Sequence, residues 1–315
     1  MPKPSKVHPK HKTTYRVENW PEYEQALRSR GDLTVWISED VRAAWVAPPS
    51  GKRGAQPIYD DVAIEACLTL GMLFRLPLRQ AEGFVRSLFV LANIDLPVPD
   101  HTLVSRRRES LQVELSQRPT DGPLCLVFDA TGLKVFGQLD WATKKHGIRG
   151  SGWRKLHIGV QRDGLIVAAK LTDSDVRDHE PIPDLLEQIN GPIDRITADG
   201  AYDQESIYSA ARDRGASPVI PPRKTAAKSG GDPVLAERDA AIDRISEVGR
   251  TQWKKEAGYH QQGRAENSFF RYKALLGSRL RARTPEGQET EVLLGVRILN
   301  RHHDLGAPDS VAVVR

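Results

Sequence analysis

The segment LCLVFDATG, residues 124–132, is an almost continuous apolar run that carries a single carboxylate, Asp129. A short apolar run of this kind, with β-branched and aromatic residues, is typical of a strand that is buried on both faces of a sheet. We therefore predict a buried β-strand that ends at Asp129. Such a strand would deliver a carboxylate to the edge of the sheet.

The segments that follow fit three strands in hairpin order and then an alternation of helices and strands. Asp163 and Gly164 form the turn signal of one hairpin. This order predicts an α/β fold in which helices cover both faces of a mixed sheet. The further predicted strands cover 133–139, 155–164, 165–174, 194–198 and 217–220, and the predicted helices cover 183–190, 203–214, 234–248, 265–276 and 288–302.

A second carboxylate follows another predicted strand. Asp199 ends the sequence RITAD and is followed by Gly200, which frees the backbone at that point. A sheet in which two strands end in Asp offers a binding edge for a ligand or a metal ion. Taken singly, Asp129 and Asp199 are each explained as well or better by capping of a turn.

A third carboxylate, Glu266, favours a functional site over the capping of turns. On the predicted helix, Phe269 and Phe270 fall in the same sector as Glu266, which predicts a carboxylate inside an apolar face. A lone ionised group is costly there unless it is paired or bound to a metal. Tyr259 and Lys273 each lie seven residues from Glu266, so a continuous helix would align all three. Two turns separate Glu266 from Lys273 by about 10 Å, which is too far for a direct ion pair.

Composition narrows the class of protein. The chain has 315 residues, 39% hydrophobic and 28% charged, which fits one large or two smaller globular domains and excludes a disordered chain. Cys67 and Cys125 are its only cysteines, so a disulfide scaffold and a CxxC zinc site are excluded. The longest apolar run, 64–74, is too short to span a bilayer, and no signal segment is evident. We expect a cytoplasmic protein whose net charge of +5 is compatible with a nucleic-acid partner.

The motifs around the three carboxylates resemble those of a known family. VFDATGLKVFG surrounds Asp129, ITADGAYD surrounds Asp199 and YHQQGRAENSFFRYKALLG surrounds Glu266. Together and in this order they are similar to the DDE transposases of bacterial insertion sequences, specifically the insertion-sequence group numbered five. The resemblance extends over residues 56–305.

The C-terminal signature of that family matches with one departure. The signature reads Tyr, two residues, Arg, three residues, Glu, six residues, Lys. Tyr259, Glu266 and Lys273 match the spacing, whereas Gln262 stands where Arg is usual. Arg264, two positions further on, is a candidate for the missing cation.

The resemblance implies a ribonuclease H-like fold and a metal-dependent reaction on DNA. It implies that Asp129, Asp199 and Glu266 bind two Mg²⁺ ions, for which Mn²⁺ can substitute, and hard carboxylate oxygens suit these ions. The implied reaction cleaves transposon ends and joins the 3′-hydroxyls to a target by in-line phosphoryl transfer. The implied partner is double-stranded DNA, as terminal inverted repeats and as target. A homodimer or higher assembly on paired ends, no membrane, and association with the bacterial nucleoid are also expected.

The residues expected to contact DNA belong to two regions. In the catalytic region they are the signature residues and two basic pairs, where an ordinary solvated face is the alternative for the basic pairs. Helices are predicted at 60–74, 78–91 and 100–114, and Asp60 and Asp100 stand where the N-caps of the first and third are expected. These helices resemble a helix-turn-helix unit, where a support domain of three helices remains the alternative. The expected DNA contacts are Tyr259, Gln262, Arg264, Lys273, Lys144, Lys145, Arg154 and Lys155 in the catalytic region and Thr102, Ser105 and Arg106 in the helical one.

Three other polar residues are expected to be structural. Arg107 falls in the apolar sector of its helix, His157 lies in a predicted strand, and Asp203 stands where the N-cap of the next helix is expected. The predicted division of the chain is a basic tail and N-terminal region at 1–56, a helical DNA-binding domain at 57–118, a catalytic domain at 119–305 and a C-terminal tail at 306–315.

Two other functions remain open from the sequence. One is a metal-dependent nuclease with the same carboxylates but without strand transfer. The other is a catalytically inactive DNA-binding protein derived from a transposase, for which Gln262 is an argument.

Overall fold

A computed structural model of the chain describes residues 14–49, 51, 53–115, 122–135 and 152–313. Its centre is a six-stranded mixed sheet with the order β4-β3-β2-β5-β6, in which β7 pairs with β2. Strands β2, β3 and β4 pair antiparallel, and β5, β6 and β7 run parallel to their neighbours. The mixed α/β sheet confirms the predicted fold class. The strands are β2 at Leu124–Val135, β3 at Trp153–Gln161, β4 at Ile166–Asp173, β5 at Ile193–Thr197, β6 at Ser217–Val219 and β7 at Arg279–Leu280.

Strand β2 corrects one sequence prediction. The strands predicted at 124–132 and 133–139 are, over the described residues, one strand of 12 residues, so Asp129 lies inside the strand and does not end it. The reason is the antiparallel partner β3, which pairs with β2 from Leu126 to Lys134 and continues beyond the last pair with β5. Gly132 does not break the strand, because the Trp153 ring packs against its backbone.

The two faces of β2 belong to two different hydrophobic cores. Leu126 and Phe128 pack with helices α6, Ile182–Glu187, and α7, Glu205–Asp213. Val127 and Leu133, on the opposite face, pack with helices α10 and α11. Side chains alternate along a strand, so Asp129 lies on the same face as Val127 and looks toward α10. Helix α10 spans Gly263–Leu276 and α11 spans Pro285–Asp304.

The N-terminal helices form a third core that includes part of α11. Trp45 is fully buried in it, its indole donates to the Pro97 carbonyl at 2.7 Å, and Leu294 of α11 packs into the same cluster. The helical region and the sheet domain therefore share α11 as a common element. The helices are α1 at Trp20–Ser29, α2 at Glu39–Ala43, α3 at Asp61–Leu73, α4 at Leu78–Leu91 and α5 at His101–Arg108.

The ends of these helices test the capping predictions. Asp60 and Asp100 accept hydrogen bonds from the first turns of α3 and α5, as predicted. Helix α5 ends at Arg108 and not at residue 114. The sequence beyond it alternates between buried Leu111 and Val113 and exposed neighbours, which is the period of an extended chain.

The remaining elements are α8 at Ala236–Val248, α9 at Arg250–Glu256 and a two-stranded sheet of β1, Thr14–Val17, and β8, Ser310–Val313. The last strand lies within the region predicted as a C-terminal tail. Of the described helices, none is both long enough and apolar enough to cross a membrane.

Candidate active site

Two of the three predicted carboxylates are brought side by side by strand register. Val127 of β2 and Thr197 of β5 form the last registered pair of these parallel strands, and Asp129 and Asp199 each lie two residues further on. Neighbouring strands are about 4.8 Å apart, so the two aspartates occupy the same level of the sheet edge. The Oδ1 atom of Asp199 accepts from the Ala201 amide at 2.8 Å, so this residue also caps the turn that follows.

The electrostatics of Asp129 link all three carboxylates. Partial burial raises the pKa of Asp129 to about 6, and the negative charges of Asp199 and Glu266 act in the same direction. The Ala130 amide, which donates to Oδ1 of Asp129 at 2.8 Å, opposes the increase. Three acidic side chains that are distant in sequence thus share one local field. A cation at this place would relieve their repulsion.

Glu266 acts on the pKa of Asp129, as expected of a neighbouring carboxylate, but it is not buried as predicted. It lies in the first turn of α10 and is exposed, whereas the buried face of the helix is formed by Ala265, Ser268, Phe269 and Tyr272. Each residue turns a helix by about 100°, so Glu266 falls outside the arc that these four residues form around the helix. Phe270, predicted to share the apolar sector, is 72% exposed. The prediction that Glu266 is buried among apolar residues was therefore wrong.

Tyr259 does not extend the helix of Glu266 but still lies near the carboxylates. It begins a 3₁₀ turn, Tyr259–Gln262, and α10 starts only at Gly263. The predicted continuous stripe is broken there. Burial raises the pKa of Tyr259 to about 12, and the charges of Asp199, Asp129 and Glu266 add to the increase. The Tyr259 ring also lies under the Lys254 ammonium, 4.3 Å from the ring centre.

Lys273 is fixed by a residue that sequence reasoning missed. Its Nζ donates to Oγ1 of Thr131 at 2.7 Å. Thr131 lies two residues after Asp129 in β2 and so faces the same side of the sheet. The hydrogen bond places the ammonium group on the face that carries Asp129. The spacing of two within a strand is the sequence signal that points to Thr131.

Gln262 and Arg264 occupy contrasting positions. Gln262 is 6% exposed, and its Nε2 donates to the Phe128 carbonyl at 3.3 Å. Its Oε1 is buried without a hydrogen-bond partner among the described residues. Arg264 is exposed on α10. The two residues therefore have different surroundings, and Arg264 does not take the buried position of Gln262.

The basic residues of β3 are engaged within the protein. Arg154 donates to Oε1 of Gln288 at 3.1 Å and forms an ion pair with Asp173. Lys155 donates to the Val176 carbonyl and to Asp178, both at 2.8 Å. Lys144 and Lys145 lie outside the described residues.

The helical candidates present a mixed surface. Thr102 and Arg106 are exposed on α5, and Ser105 is half-buried. Arg107 donates to the Tyr59 carbonyl at 3.0 Å and to Asp61 at 2.5 Å, which confirms its structural role. His157 is 1% exposed in β3, which confirms that it is a packed strand residue.

Asp203 is not the N-cap that the sequence predicted. Helix α7 begins at Glu205 with Gln204 at the N-cap. The Asp203 side chain is fully buried instead. It accepts hydrogen bonds from the Tyr208 hydroxyl at 3.1 Å, from the Arg238 guanidinium at 2.8 Å and from the Arg223 amide at 2.8 Å. This carboxylate ties α7, α8 and the loop between β6 and α8 together.

The donor chemistry of the site fits a hard divalent cation. Asp129, Asp199 and Glu266 offer carboxylate oxygens, the ligands that Mg²⁺ and Mn²⁺ prefer. Within the described ranges, no three or more His, Cys, Asp or Glu side chains lie close enough together to hold a metal ion as they stand. The three carboxylates are therefore electrostatic neighbours that do not form a closed coordination shell.

Comparisons with known proteins place the chain in a family. Residues 28–138 and residues 120–301 each match a family described as a transposase DDE domain, and the second match covers more than half of the chain. The chain is 32% identical over 142 residues to the putative transposase for insertion sequence element IS402 of Burkholderia cepacia. That alignment covers 42% of this chain and 57% of the relative, so the chain spans somewhat more than half of the relative's length. A cryo-EM structure of the piggyBac transposase synaptic complex with hairpin DNA is 11% identical with a TM-score of 0.43, over 93% of this chain and 78% of that chain.

Proposed function

Because this chain belongs to the transposase DDE-domain family, we propose that it cleaves double-stranded DNA at the ends of its own element. The freed 3′-hydroxyls are then joined to a target DNA by in-line phosphoryl transfer. The observation that carries this proposal is the placement of Asp129 and Asp199 at the same level of neighbouring strands. The effect of Glu266 on the pKa of Asp129 supports the inclusion of the third carboxylate.

Asp129, Asp199 and Glu266 would hold two Mg²⁺ ions, for which Mn²⁺ can substitute. When bound, such ions activate a water or a 3′-hydroxyl for attack and stabilise the leaving oxygen. The pKa of Asp129, about 6, leaves this carboxylate ionised and able to act as a ligand at neutral pH. Partial burial of Asp129 also lowers the local dielectric, which strengthens its attraction for a cation.

The side chains around the carboxylates would position the DNA. The Lys273 ammonium donates to Thr131 on the face of Asp129, and there it would pair with a phosphate oxygen. The Tyr259 hydroxyl stays protonated at neutral pH, since its pKa is raised to about 12, and so it can donate a hydrogen bond to a phosphate. The reaction needs no side-chain nucleophile, because positioning and charge stabilisation carry phosphoryl transfer.

Recognition of the DNA ends is assigned to the exposed side of α5. Thr102 and Arg106 are exposed there, next to Ser105. A short helix with its polar side in solvent can enter a major groove. Because two ends must be held together for strand transfer, we include in the proposal an assembly of two or more copies on paired terminal repeats.

The substitution Asp129→Asn tests the proposal. The substrate is duplex DNA that carries the inverted repeats flanking the coding region in its genome. We expect the variant to lose Mg²⁺-dependent cleavage and to bind the ends with nearly unchanged affinity, whereas Asp213→Asn, on the exposed side of α7, cleaves like wild type. Cleavage by the Asp129 variant at the wild-type rate would overturn the assignment. Joining of precut ends to a plasmid separates a transposase from a simple nuclease.

Gln262 favours one alternative, a DNA-binding protein without catalytic activity. Its buried amide replaces the cation that the family signature places there. A wild-type chain that binds the terminal repeats but cleaves them in neither Mg²⁺ nor Mn²⁺ would select this alternative.

A further inference from the structure

A cleft lined by arginines lies between the helical region and the sheet domain. It has a volume of about 900 Å³, and we refer to it as the arginine cleft. One wall consists of the α3–α4 loop and α5, and the other consists of the segment between α10 and α11. Six of its lining side chains are guanidinium groups, namely Arg75, Arg79, Arg108, Arg279, Arg281 and Arg283.

Two of these arginines hold the walls together. Arg75 donates to the carbonyl oxygens of Ala274 and Leu275, at 2.8 and 3.0 Å, at the end of α10. Arg281 donates in the opposite direction, to the Leu76 carbonyl at 3.3 Å. Arg75 takes a left-handed backbone conformation, φ 53°, which a non-glycine residue adopts only at some cost. These contacts keep the two walls at a fixed separation.

The two acidic side chains of the cleft accept hydrogen bonds from other residues of the protein. The half-buried Glu291 carboxylate accepts from the amides of Arg281 and Ala282, at 2.7 to 3.0 Å. Glu109 accepts from the Thr284 hydroxyl at 3.0 Å. The acids therefore shape the segment that carries the arginines. Their own oxygens are engaged in these contacts.

Three of the arginines offer exposed guanidinium groups to a ligand, and one of these, Arg79, also donates its Nε–H to Nε2 of His101 at 3.2 Å. Arg79, Arg279 and Arg283 are exposed, and no ion pair in the described part of the chain involves any of them. The Nε of Arg108, in the same cleft, is buried without a hydrogen-bond partner among the described residues. A buried donor without an acceptor is uncommon in folded proteins. An anionic ligand with several oxygens would neutralise the three exposed charges together.

The position of the cleft relative to Glu266 favours a DNA phosphate as the anion. Leu276 lines it at the end of α10, ten residues after Glu266 in the same helix. Ten residues of α-helix span about 15 Å. At about 3.4 Å per base pair, that distance corresponds to roughly four to five base pairs of duplex DNA. The cleft and the candidate active site thus lie at opposite ends of one helix.

We propose that the arginine cleft binds the phosphate backbone of the duplex whose reacting phosphate lies at the carboxylates. The contact falls roughly four to five base pairs from the reacting phosphate by the helix spacing above. This inference rests on the proposed function for its choice of DNA. The guanidinium groups would contact phosphate oxygens and not base edges, so the contact is independent of sequence.

The test measures how salt weakens DNA binding by the full chain. The probe is a fluorescently labelled duplex of random sequence and about 30 base pairs, titrated in EDTA at several salt concentrations. The variants are Arg79→Gln, Arg283→Gln and the double variant. Each lost phosphate contact should reduce the slope of log K against log salt by about 0.9, and so by nearly 2 for the double variant. The control Arg301→Gln, on an exposed position of α11 outside the cleft, should keep the wild-type slope.

A second set of variants controls for loss of folding. Arg79→Lys and Arg283→Lys retain the positive charge, so they should keep most of the wild-type slope. If the Gln and Lys variants both bind with the wild-type slope, and all melt like the wild type, the inference is overturned. If both sets lose the slope equally, charge is not the cause and the inference fails as well.

Cleavage of the terminal repeats at saturating DNA separates this inference from the proposed function. If wild type and the cleft variants cleave at equal rates and only the salt slope changes, both stand. If the slope changes but the wild type does not cleave, the cleft is retained as a DNA site and the proposed function fails. If the wild type cleaves and the slope does not change, only the cleft inference fails.

Discussion

Asp129 and Asp199 each lie two residues beyond Val127 and Thr197, the last registered pair between two parallel strands. The relationship places two carboxylates from distant parts of the chain at one level of the sheet. It also explains why the pKa of Asp129 is raised to about 6, since burial and a like charge both disfavour ionisation.

Divalent cations should stabilise the wild-type protein. The proposed function has Mg²⁺ bind only the folded arrangement of Asp129, Asp199 and Glu266, so at a concentration of 100 times Kd it should add about 2.7 kcal/mol to the free energy of unfolding. Asp129→Asn and Asp199→Asn should lose most of this gain, and Asp213→Asn, exposed on α7, should keep it. Thermal unfolding with Mg²⁺ and with EDTA measures the effect. An equal gain in all four proteins would mean that the cation binds elsewhere.

Thr131→Val should lower the cleavage rate through Lys273. The substitution preserves the shape of the strand but removes the oxygen that accepts from Lys273 Nζ at 2.7 Å. Because the ammonium is then less well positioned, we expect the rate of single-turnover cleavage at saturating DNA to fall about tenfold. The wild-type affinity for the ends should be retained. Lys273→Ala should lower the rate further, and combining the two changes should add little. A full additional loss in the double variant would show that the two residues act separately.

Asp203→Ala should destabilise the fold, because Asp203 has a structural role and not a catalytic one. Arg238 would lose its buried ionic partner and Tyr208 its acceptor, so we expect a loss of about 3–5 kcal/mol in the free energy of unfolding. Asp213→Ala, an exposed change in the same region, should cost less than about 0.5 kcal/mol. Urea unfolding monitored by circular dichroism compares the two. An Asp203 variant with wild-type stability but no cleavage would contradict a structural role.

His302 should make the protein less stable as the pH falls. Burial lowers the pKa of His302 to about 4, with help from the charges of Arg30 and Arg271. The unfolded chain takes up a proton near pH 6.5 that the folded protein takes up only near pH 4. Stability that is present above pH 6.5 is therefore lost as the pH falls through this range.

The variant His302→Phe isolates that contribution. Phe keeps an aromatic ring against Trp36, whose centre lies 5.8 Å from the imidazole, but it does not titrate. Between pH 7 and pH 5, wild type should lose about 1–2 kcal/mol more than the variant in chemical unfolding. If the free energy of unfolding falls equally with pH in the two proteins, His302 is not the source of the loss of stability. His157, with a pKa also lowered to about 4, contributes in the same direction to both proteins.

Local patterns predicted most of the elements in the described part of the chain. The caps at Asp60 and Asp100 and the strand of apolar residues before Asp129 depend on neighbours in sequence, and all are present. The length of β2 was not predictable from its own residues, because pairing with β3 carries the strand past Gly132. The same limit applies to α5, which ends where Leu111 and Val113 turn into the helical core.

The amino-acid sequence by itself determined the residue types and spacings of the carboxylates and the signature lysine, because these are properties of the chain alone. Only the tertiary structure decided which of them meet. Parallel register brought Asp129 level with Asp199, the rotation of α10 turned Glu266 into solvent, and Thr131 became the partner of Lys273. The physical reason is that burial and side-chain contact depend on the partner against which each strand or helix packs. That partner is distant along the chain, so no local pattern records it.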